Sequence, residues 1–232
     1  MFFRRKKKDL SIEDMKIGDI DKATAIIRGD RTKLSGLRIL VVDDQEFPYT
    51  EALREYQYHI EQMKDATPDK ASDFDIVLCD RKGVGKTLRS SKEGGALALA
   101  IKERFPLKFV ALYTSASEGL HDIDIIKCLD DVVPPGGDVD DFKAVLDNWT
   151  TRILDPKEQW LRFRTELLKR KISIHEVAHL ESEFVKRYNA NELNQLNTNG
   201  LKPFVSSLGQ TLLVEFFKLA IFRFLSTGTL SS

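Results

Sequence analysis

Two runs decide the fold: Leu40-Val41-Val42-Asp43-Asp44 and, further along the chain, Asp75-Ile76-Val77-Leu78-Cys79-Asp80. Each is a short apolar segment that ends on acidic residues, as expected of buried strands. If the two strands lie side by side and parallel, their last residues meet at one edge of a sheet. Carboxylates crowded in this way repel one another unless a cation lies among them, and Mg²⁺ prefers such oxygen ligands. The sequence therefore predicts a divalent-metal pocket formed by Asp43, Asp44 and Asp80.

Apolar strands and helices alternate from residue 37 to about residue 151. The predicted strands are 37–42, 59–64, 75–79, 108–113 and 131–133. The predicted helices are 48–56, 94–105, 119–128 and 139–151, with at most one helical turn between Met63 and Phe74. This alternation indicates an α/β fold with a five-stranded, doubly wound parallel sheet and right-handed crossovers. In such sheets, ligands bind at the carboxyl ends of the strands, where the three aspartates fall.

The rest of the chain divides into an N-terminal extension and an all-α C-terminal region. Residues 1–36 contain a basic run, Arg4-Arg5-Lys6-Lys7-Lys8, and then a segment with helical periodicity. Helical spacing continues after Asp155-Pro156, over 157–171, 173–188 and 203–225, with a polar break before the last segment. That last helix is apolar on most sides, so something must cover it. We expect residues 152–232 to form a helical bundle that dimerises or docks a protein partner.

Composition limits the choice of partners and of compartment. The 36 basic and 36 acidic residues cancel, so neither nucleic acid nor a membrane surface is expected as the main partner. The two cysteines, Cys79 and Cys128, and the lack of an apolar signal at the start predict a reduced, cytoplasmic protein without disulfides. The apolar stretch 212–225 is interrupted by charges and is shorter than the ~20 residues of a spanning helix, so no transmembrane segment is expected.

Residues 37 to about 151 resemble the receiver domain of two-component response regulators. In that family an acidic pair after the first strand and an aspartate after the third hold Mg²⁺, and the latter aspartate accepts a phosphoryl group. The resemblance assigns Asp43 and Asp44 to the pair and Asp80 to the phosphoacceptor. A carboxylate nucleophile suits this chemistry, because a cation is needed to neutralise the phosphoryl oxygens.

The resemblance implies further site residues and a partner. The backbone carbonyl of Lys82 would be another metal ligand by position. A hydroxyl after the fourth strand contacts the phosphoryl group in the family; Thr114 is the first choice here and Ser115 the second. The implied partner is a histidine kinase or a phosphotransfer protein.

Two positions depart from the family pattern. A lysine before a proline, after the fifth strand, pairs with the phosphoryl group in the family, whereas this chain has Pro134 followed by Pro135. The aromatic residue expected three positions earlier is Asp131. Loss of the lysine contact would remove about 1.5–3 kcal/mol of coupling between phosphorylation and conformation. A pseudo-receiver that works through constitutive protein contacts is therefore an alternative to a phosphorylated receiver.

The loop at residues 81–92 is long and basic. Its cations are Arg81, Lys82, Lys86, Arg89 and Lys92. Lys86 could reach over the acidic pocket and replace the missing lysine, or the loop could bind an acidic partner, but a mobile, solvated loop is the interpretation we favour. Gly85-Lys86-Thr87 imitates the end of a phosphate-binding loop. Asp80 occupies the position of that motif's first glycine, which argues against nucleotide binding.

The C-terminal region contains His175-Glu176-Val177-Ala178-His179, a match to the H-E-x-x-H zinc motif. On a helix the two imidazoles would stand one turn apart and suit one metal. No signature of a third ligand follows, and helices alone do not frame a substrate cleft. His175 followed by a glutamate also resembles a histidine phosphoacceptor. The chain is expected not to be an enzyme; the alternative is a metal-dependent enzyme that uses the acidic pocket or zinc at His175 and His179.

Overall fold

A computed structural model of the chain describes residues 37–114, 123–134, 136, 138–189 and 207–216. Predictions for residues 1–36, Ser115, Pro135 and the polar break at 190–200 fall outside these residues. Across the described part of the chain, no helix is long and apolar enough to cross a membrane.

Five parallel strands form one sheet in the order β2-β1-β3-β4-β5. The strands are β1 (Arg38–Val42), β2 (His59–Met63), β3 (Ile76–Asp80), β4 (Phe109–Tyr113) and β5 (Asp131–Val133). Strands β1, β3 and β4 are almost entirely apolar and buried, as is typical of a parallel sheet covered on both faces. The predicted doubly wound parallel sheet is confirmed, and its strand order is one of the two common orders of that architecture.

Seven α-helices lie within the described residues. They are α1 (Thr50–Glu55), α2 (Glu93–Arg104), α3 (Ile123–Ile126), α4 (Val139–Leu154), α5 (Pro156–Lys169), α6 (Ile174–Asn189) and α7 (Ser207–Phe216). The connection between β2 and β3, where the sequence leaves room for one turn at most, is a short 3₁₀ helix over Pro68–Asp73.

The sheet separates two apolar cores because alternate strand residues face opposite sides. On one side, Ile39, Val41 and Phe109 pack with residues of α1 and α4. On the other side, Leu40 and Val42 pack with residues of α2. The strand ends are thereby fixed from both faces, which positions the residues that follow β1, β3 and β4.

A third core joins the C-terminal helices to the sheet. Asp155 ends α4 and also caps α5, since its side chain accepts hydrogen bonds from the backbone N–H groups of Lys157 and Glu158. Residues from α5, α6 and α7 then pack together, and Leu107, just before β4, joins them. The predicted boundary at residues 151/152 lies inside α4, and the division into 1–36, 37–151 and 152–232 stays a prediction.

Candidate functional site

Three carboxylates meet at the carboxyl edge of the sheet. Asp43 and Asp44 follow β1, and Asp80 is the last residue of the neighbouring strand β3. One oxygen atom from each side chain lies within 4.8 Å of the others. Among the described residues, no other group of three or more His, Cys, Asp or Glu side chains comes so close together. The structure thus brings together the three aspartates that the sequence singles out.

Burial and repulsion between neighbouring carboxylates make Asp43 and Asp80 reluctant to ionise. Burial raises the pKa of Asp43, and the charge of Asp44 adds to the effect, although the backbone N–H of Gln45 donates to Asp43 Oδ1 at 2.9 Å and opposes it. Burial also raises the pKa of Asp80, and the charge of Asp43 adds to it. A cation among the three would relieve both effects. The all-oxygen donor set fits Mg²⁺, with Asp43, Asp44 and Asp80 as the side chains that would hold it.

Asp43→Asn is expected to stabilise the metal-free protein at neutral pH by about 2–4 °C, the shift that ~1 kcal/mol produces in a chain of this size. A carboxyl whose pKa is raised by folding costs stability once it ionises. The wild type therefore loses stability as the pH rises from 3.8, the ordinary pKa of an aspartate, through the raised pKa of Asp43. The Asp43→Asn variant has no carboxyl at this position and does not lose this stability. Thermal unfolding of both proteins, measured without metal from acidic to neutral pH, gives the difference.

The control for this comparison is Asp73→Asn at an exposed aspartate. It should leave the midpoint unchanged across the same pH range. A gain from Asp43→Asn that is equally large below pH 3.8 would contradict an origin in ionisation.

The β3–α2 loop, residues 81–92, has a defined path beside the pocket. The Asp65 carboxylate accepts hydrogen bonds from the backbone N–H groups of Gly85 at 2.6 Å and Lys86 at 3.3 Å. Glu93 Oε2 accepts another from the N–H of Gly83 at 2.8 Å. The loop is solvated as the sequence predicts, since residues 86–89 and 91–92 are exposed, but the backbone at Gly83, Gly85 and Lys86 is hydrogen-bonded to acidic side chains. Asp65 lies between β2 and β3, and no local sequence pattern marks it as the anchor.

Gly83 brings the loop backbone against the Asp44 carboxylate. Its φ of 73° lies in the left-handed region that favours glycine. A Cβ atom at this position would lie 2.2 Å from Asp44 Oδ2, closer than any real contact. Only a residue without a side chain lets the loop pass here with the carboxylate in place.

Gly83→Ala is expected to weaken Mg²⁺ binding about tenfold, or ~1.4 kcal/mol, because the new methyl group displaces a ligand. Gly136→Ala is the matched control: Gly136 also has a positive φ, of 99°, but a Cβ there meets no described atom within 4 Å. Both variants carry the same kind of backbone strain. Calorimetric titration with Mg²⁺ should separate them, and equal losses of affinity would show that strain alone is responsible.

Thr114 lies close to Asp80 in the sheet, and its contact with a phosphoryl group stays a prediction. Asp80 pairs with Tyr113 in the β3–β4 register, and Thr114 follows directly. Thr114 is 4% exposed, and its backbone N–H donates to Val133 O at 3.0 Å, which fixes it against β5. Ser115 lies outside the described residues. The backbone N–H of Lys82 donates to Asp80, while a role of the Lys82 carbonyl as a metal ligand stays a prediction.

The two departures in β5 have structural counterparts. Pro134 directly follows β5 and is exposed, so it brings no cation to the site. Asp131, at the expected aromatic position, accepts a hydrogen bond from Trp149 Nε1 at 2.8 Å. The residue at this position is therefore tied to Trp149 of α4.

The H-E-x-x-H match lies at the start of α6. Ser173 and Glu176 form a reciprocal cap: the Ser173 N–H donates to Glu176 Oε2 at 3.1 Å, and the Glu176 N–H donates to Ser173 Oγ at 3.3 Å. His175 is exposed and His179 is half-buried. Within the described part of the chain, no third His, Cys, Asp or Glu joins them in a possible metal group. The glutamate that the motif would use as a base is a helix cap here.

No protein-family model matches the chain. No match was found among curated proteins. Solved structures similar to the chain include the receiver domain of NtrX from Brucella abortus, at 19% identity over 47% of this chain and 95% of that one, with a TM-score of 0.39. A CheY-like receiver domain from Methanospirillum hungatei matches at 18% identity over 49% and 93%, also with a TM-score of 0.39.

A third similar structure is the response regulator TrrA from Thermotoga maritima, solved in complex with Mg²⁺ and BeF. It matches at 22% identity over 48% of this chain and 97% of that one, with a TM-score of 0.39. All three solved structures are of receiver or response regulator proteins, the class that the sequence resembles. At these identities the likeness shows the fold alone.

Proposed function

We propose that residues 37–151 form a phosphoacceptor module of two-component signalling, in which Asp80 accepts a phosphoryl group from a histidine kinase or phosphotransfer protein. The observation that supports it is the group of three carboxylates, with oxygens within 4.8 Å of one another at the carboxyl edge of the sheet. Such an edge is where doubly wound sheets bind their ligands. Residues 152–232 would carry the signal onward through dimerisation or a protein partner.

Each site residue has a defined role in this proposal, and Asp80 has two. A carboxylate oxygen of Asp80 attacks phosphorus, the new O–P bond forms as the N–P bond of a phosphohistidine breaks, and the departing imidazole keeps the electron pair. Asp43, Asp44, Asp80 and the Lys82 carbonyl would hold Mg²⁺, whose positive charge favours a bound phosphoryl group. The Thr114 hydroxyl would donate a hydrogen bond to a phosphoryl oxygen.

A second version of the function is a pseudo-receiver that acts through constitutive contacts. The observation that favours it is Pro134, which cannot supply the positive charge expected at that position. The same fold and the same helical region would then bind a partner without phosphorylation.

The test is incubation of the purified protein with acetyl phosphate and Mg²⁺, followed by intact mass measurement. A phosphoryl adduct that forms only with Mg²⁺ supports the phosphoacceptor. The absence of an adduct, together with an unfolding midpoint that does not respond to Mg²⁺, would leave only the pseudo-receiver version.

A further inference from the structure

The acidic pocket has more negative charge than a divalent cation neutralises. Three carboxylates lie together, and a bound divalent ion offsets two of their charges. When a phosphoryl group replaces the charge of one carboxylate, it brings about −1.5 to −2. A further cation would therefore stabilise the site, and more so after phosphoryl transfer than before it.

The β3–α2 loop places a lysine ammonium at this pocket. Lys86 Nζ lies 4.0 Å from Asp44 Oδ2. The Lys86 side chain is 66% exposed and that of Asp44 is 32% exposed, so the pair lies at the solvent-facing side of the pocket. The ammonium of Lys86 thus lies near Asp44, one of the candidate metal ligands.

The backbone that carries Lys86 is fixed while its side chain extends into solvent. The Asp65 carboxylate holds the N–H groups of both Gly85 and Lys86. Gly85 has a φ of 74°, and a Cβ there would lie 2.8 Å from the Glu93 carbonyl oxygen. These constraints keep the Lys86 backbone in one place beside the pocket, which reduces the conformational entropy that its ammonium loses on pairing.

We infer that Lys86 is the charge-balancing cation of this site: it pairs with Asp44 in the metal-free protein and with the phosphoryl oxygens on Asp80 after transfer. The second half of this inference rests on the proposed function. The positive charge would come from the β3–α2 loop, because the end of β5 has only Pro134.

The inference predicts opposite changes in two binding measurements on Lys86→Met, which keeps the length of the side chain but removes its charge. Mg²⁺ alone should bind about three- to tenfold more tightly, because a competing positive charge at 4.0 Å from a ligand is gone. Beryllofluoride, a phosphoryl mimic, should bind about five- to thirtyfold more weakly at saturating Mg²⁺, because a charge-assisted contact is lost. Calorimetric titration measures both.

Two further variants complete the experiment. Lys86→Arg keeps the charge and should stay close to the wild type in both titrations. Lys92→Met removes another exposed cation of the same loop and should change each affinity by less than Lys86→Met does. Unchanged affinities in Lys86→Met, or a parallel loss of Mg²⁺ and beryllofluoride binding, would overturn the inference, since parallel losses indicate only a damaged loop.

The two proposals fail in different ways. A wild-type protein that binds neither beryllofluoride nor a covalent phosphoryl group would overturn the phosphoacceptor function. The Mg²⁺ titration would still decide whether Lys86 offsets the charge of the pocket, since that measurement needs no phosphoryl group.

Discussion

Asp80→Asn is expected to reduce the phosphoryl adduct formed from acetyl phosphate to below about 1% of the wild-type amount, because the amide lacks the nucleophilic carboxylate oxygen. The fold should not suffer, since the pKa of Asp80 is raised by burial and by the charge of Asp43, and a neutral amide avoids both costs. Intact mass measurement after incubation with phosphodonor and Mg²⁺ gives the adduct. An unfolding scan of the same sample checks the fold.

The matched control lies at the other end of the same strand. Asp75 directly precedes β3, and its Oδ2 accepts a hydrogen bond from the Arg38 N–H at 2.9 Å, which an asparagine side chain can also accept. Asp75→Asn should form the adduct at the wild-type level. An adduct that persists undiminished in Asp80→Asn would place the acceptor elsewhere, with His175 as the next residue to change.

The acidic pocket is predictable from sequence because its signal is local. The apolar runs that precede Asp43 and Asp80 are short and bounded, and parallel strands bring their ends together whatever the details of the helices. The same local signal misplaces the start of β3 by one residue. Asp75 directly precedes the strand, and its side chain accepts a hydrogen bond from the N–H of Arg38, the first residue of β1.

The path of the basic loop is not predictable in this way. Its anchor, Asp65, lies 20 residues from Gly85, and its local hydrogen bond, from the N–H of Ala66, does not mark it as an anchor. The close approach of Gly83 to Asp44 likewise depends on where two separate segments lie in space. Glycines and a basic composition indicate a loop, but the path of its backbone is set by contacts with residues that are distant in sequence.

The H-E-x-x-H match is a local pattern, but more than one kind of structure can produce it. A glutamate three residues after a serine is also the signature of a helix cap, and Ser173 and Glu176 form that cap. The spacing alone cannot separate the two interpretations. The contacts of Glu176 do, because its carboxylate is bonded to the residue that begins the helix.

A buried ionic cluster links the sheet to the C-terminal helices, and its members come from three separate segments. Asp130, just before β5, accepts hydrogen bonds from Lys102 Nζ of α2 at 2.7 Å and from Arg162 Nη1 of α5 at 2.8 Å. Its Oδ2 also accepts the N–H of Val110 at 2.8 Å. The three charged side chains are only 11–15% exposed. The cluster lies at the amino ends of β4 and β5, away from the acidic pocket.

Asp130→Ala is expected to destabilise the protein by about 3–5 kcal/mol, since it leaves two buried cations without their counter-charge. For a chain of this size that loss corresponds to a fall of about 10 °C in the unfolding midpoint. The neighbouring Asp131→Ala is the control, because it removes only hydrogen bonds from uncharged donors, Trp149 Nε1 and the Val132 N–H, and should cost about 1–2 kcal/mol. Thermal and urea unfolding of both variants measures the difference.

The pH dependence of this loss tests its cause. Burial lowers the pKa of Lys102, and the charge of Asp130 opposes that effect, so removing Asp130 should lower this pKa further. When folding lowers the pKa of a lysine, the folded protein is destabilised at any pH where that lysine is protonated in the unfolded chain. This destabilisation declines as the pH rises from the lowered pKa of the folded state toward the ordinary value of 10.5. The stability lost in Asp130→Ala should therefore be smaller at alkaline pH, and adding Lys102→Met should recover part of the loss at neutral pH.

A different result would contradict this cause. If the loss is independent of pH and equal to that of Asp131→Ala, the cluster contributes only ordinary hydrogen bonds. Apolar packing around Leu107 would then hold the C-terminal helices on the sheet.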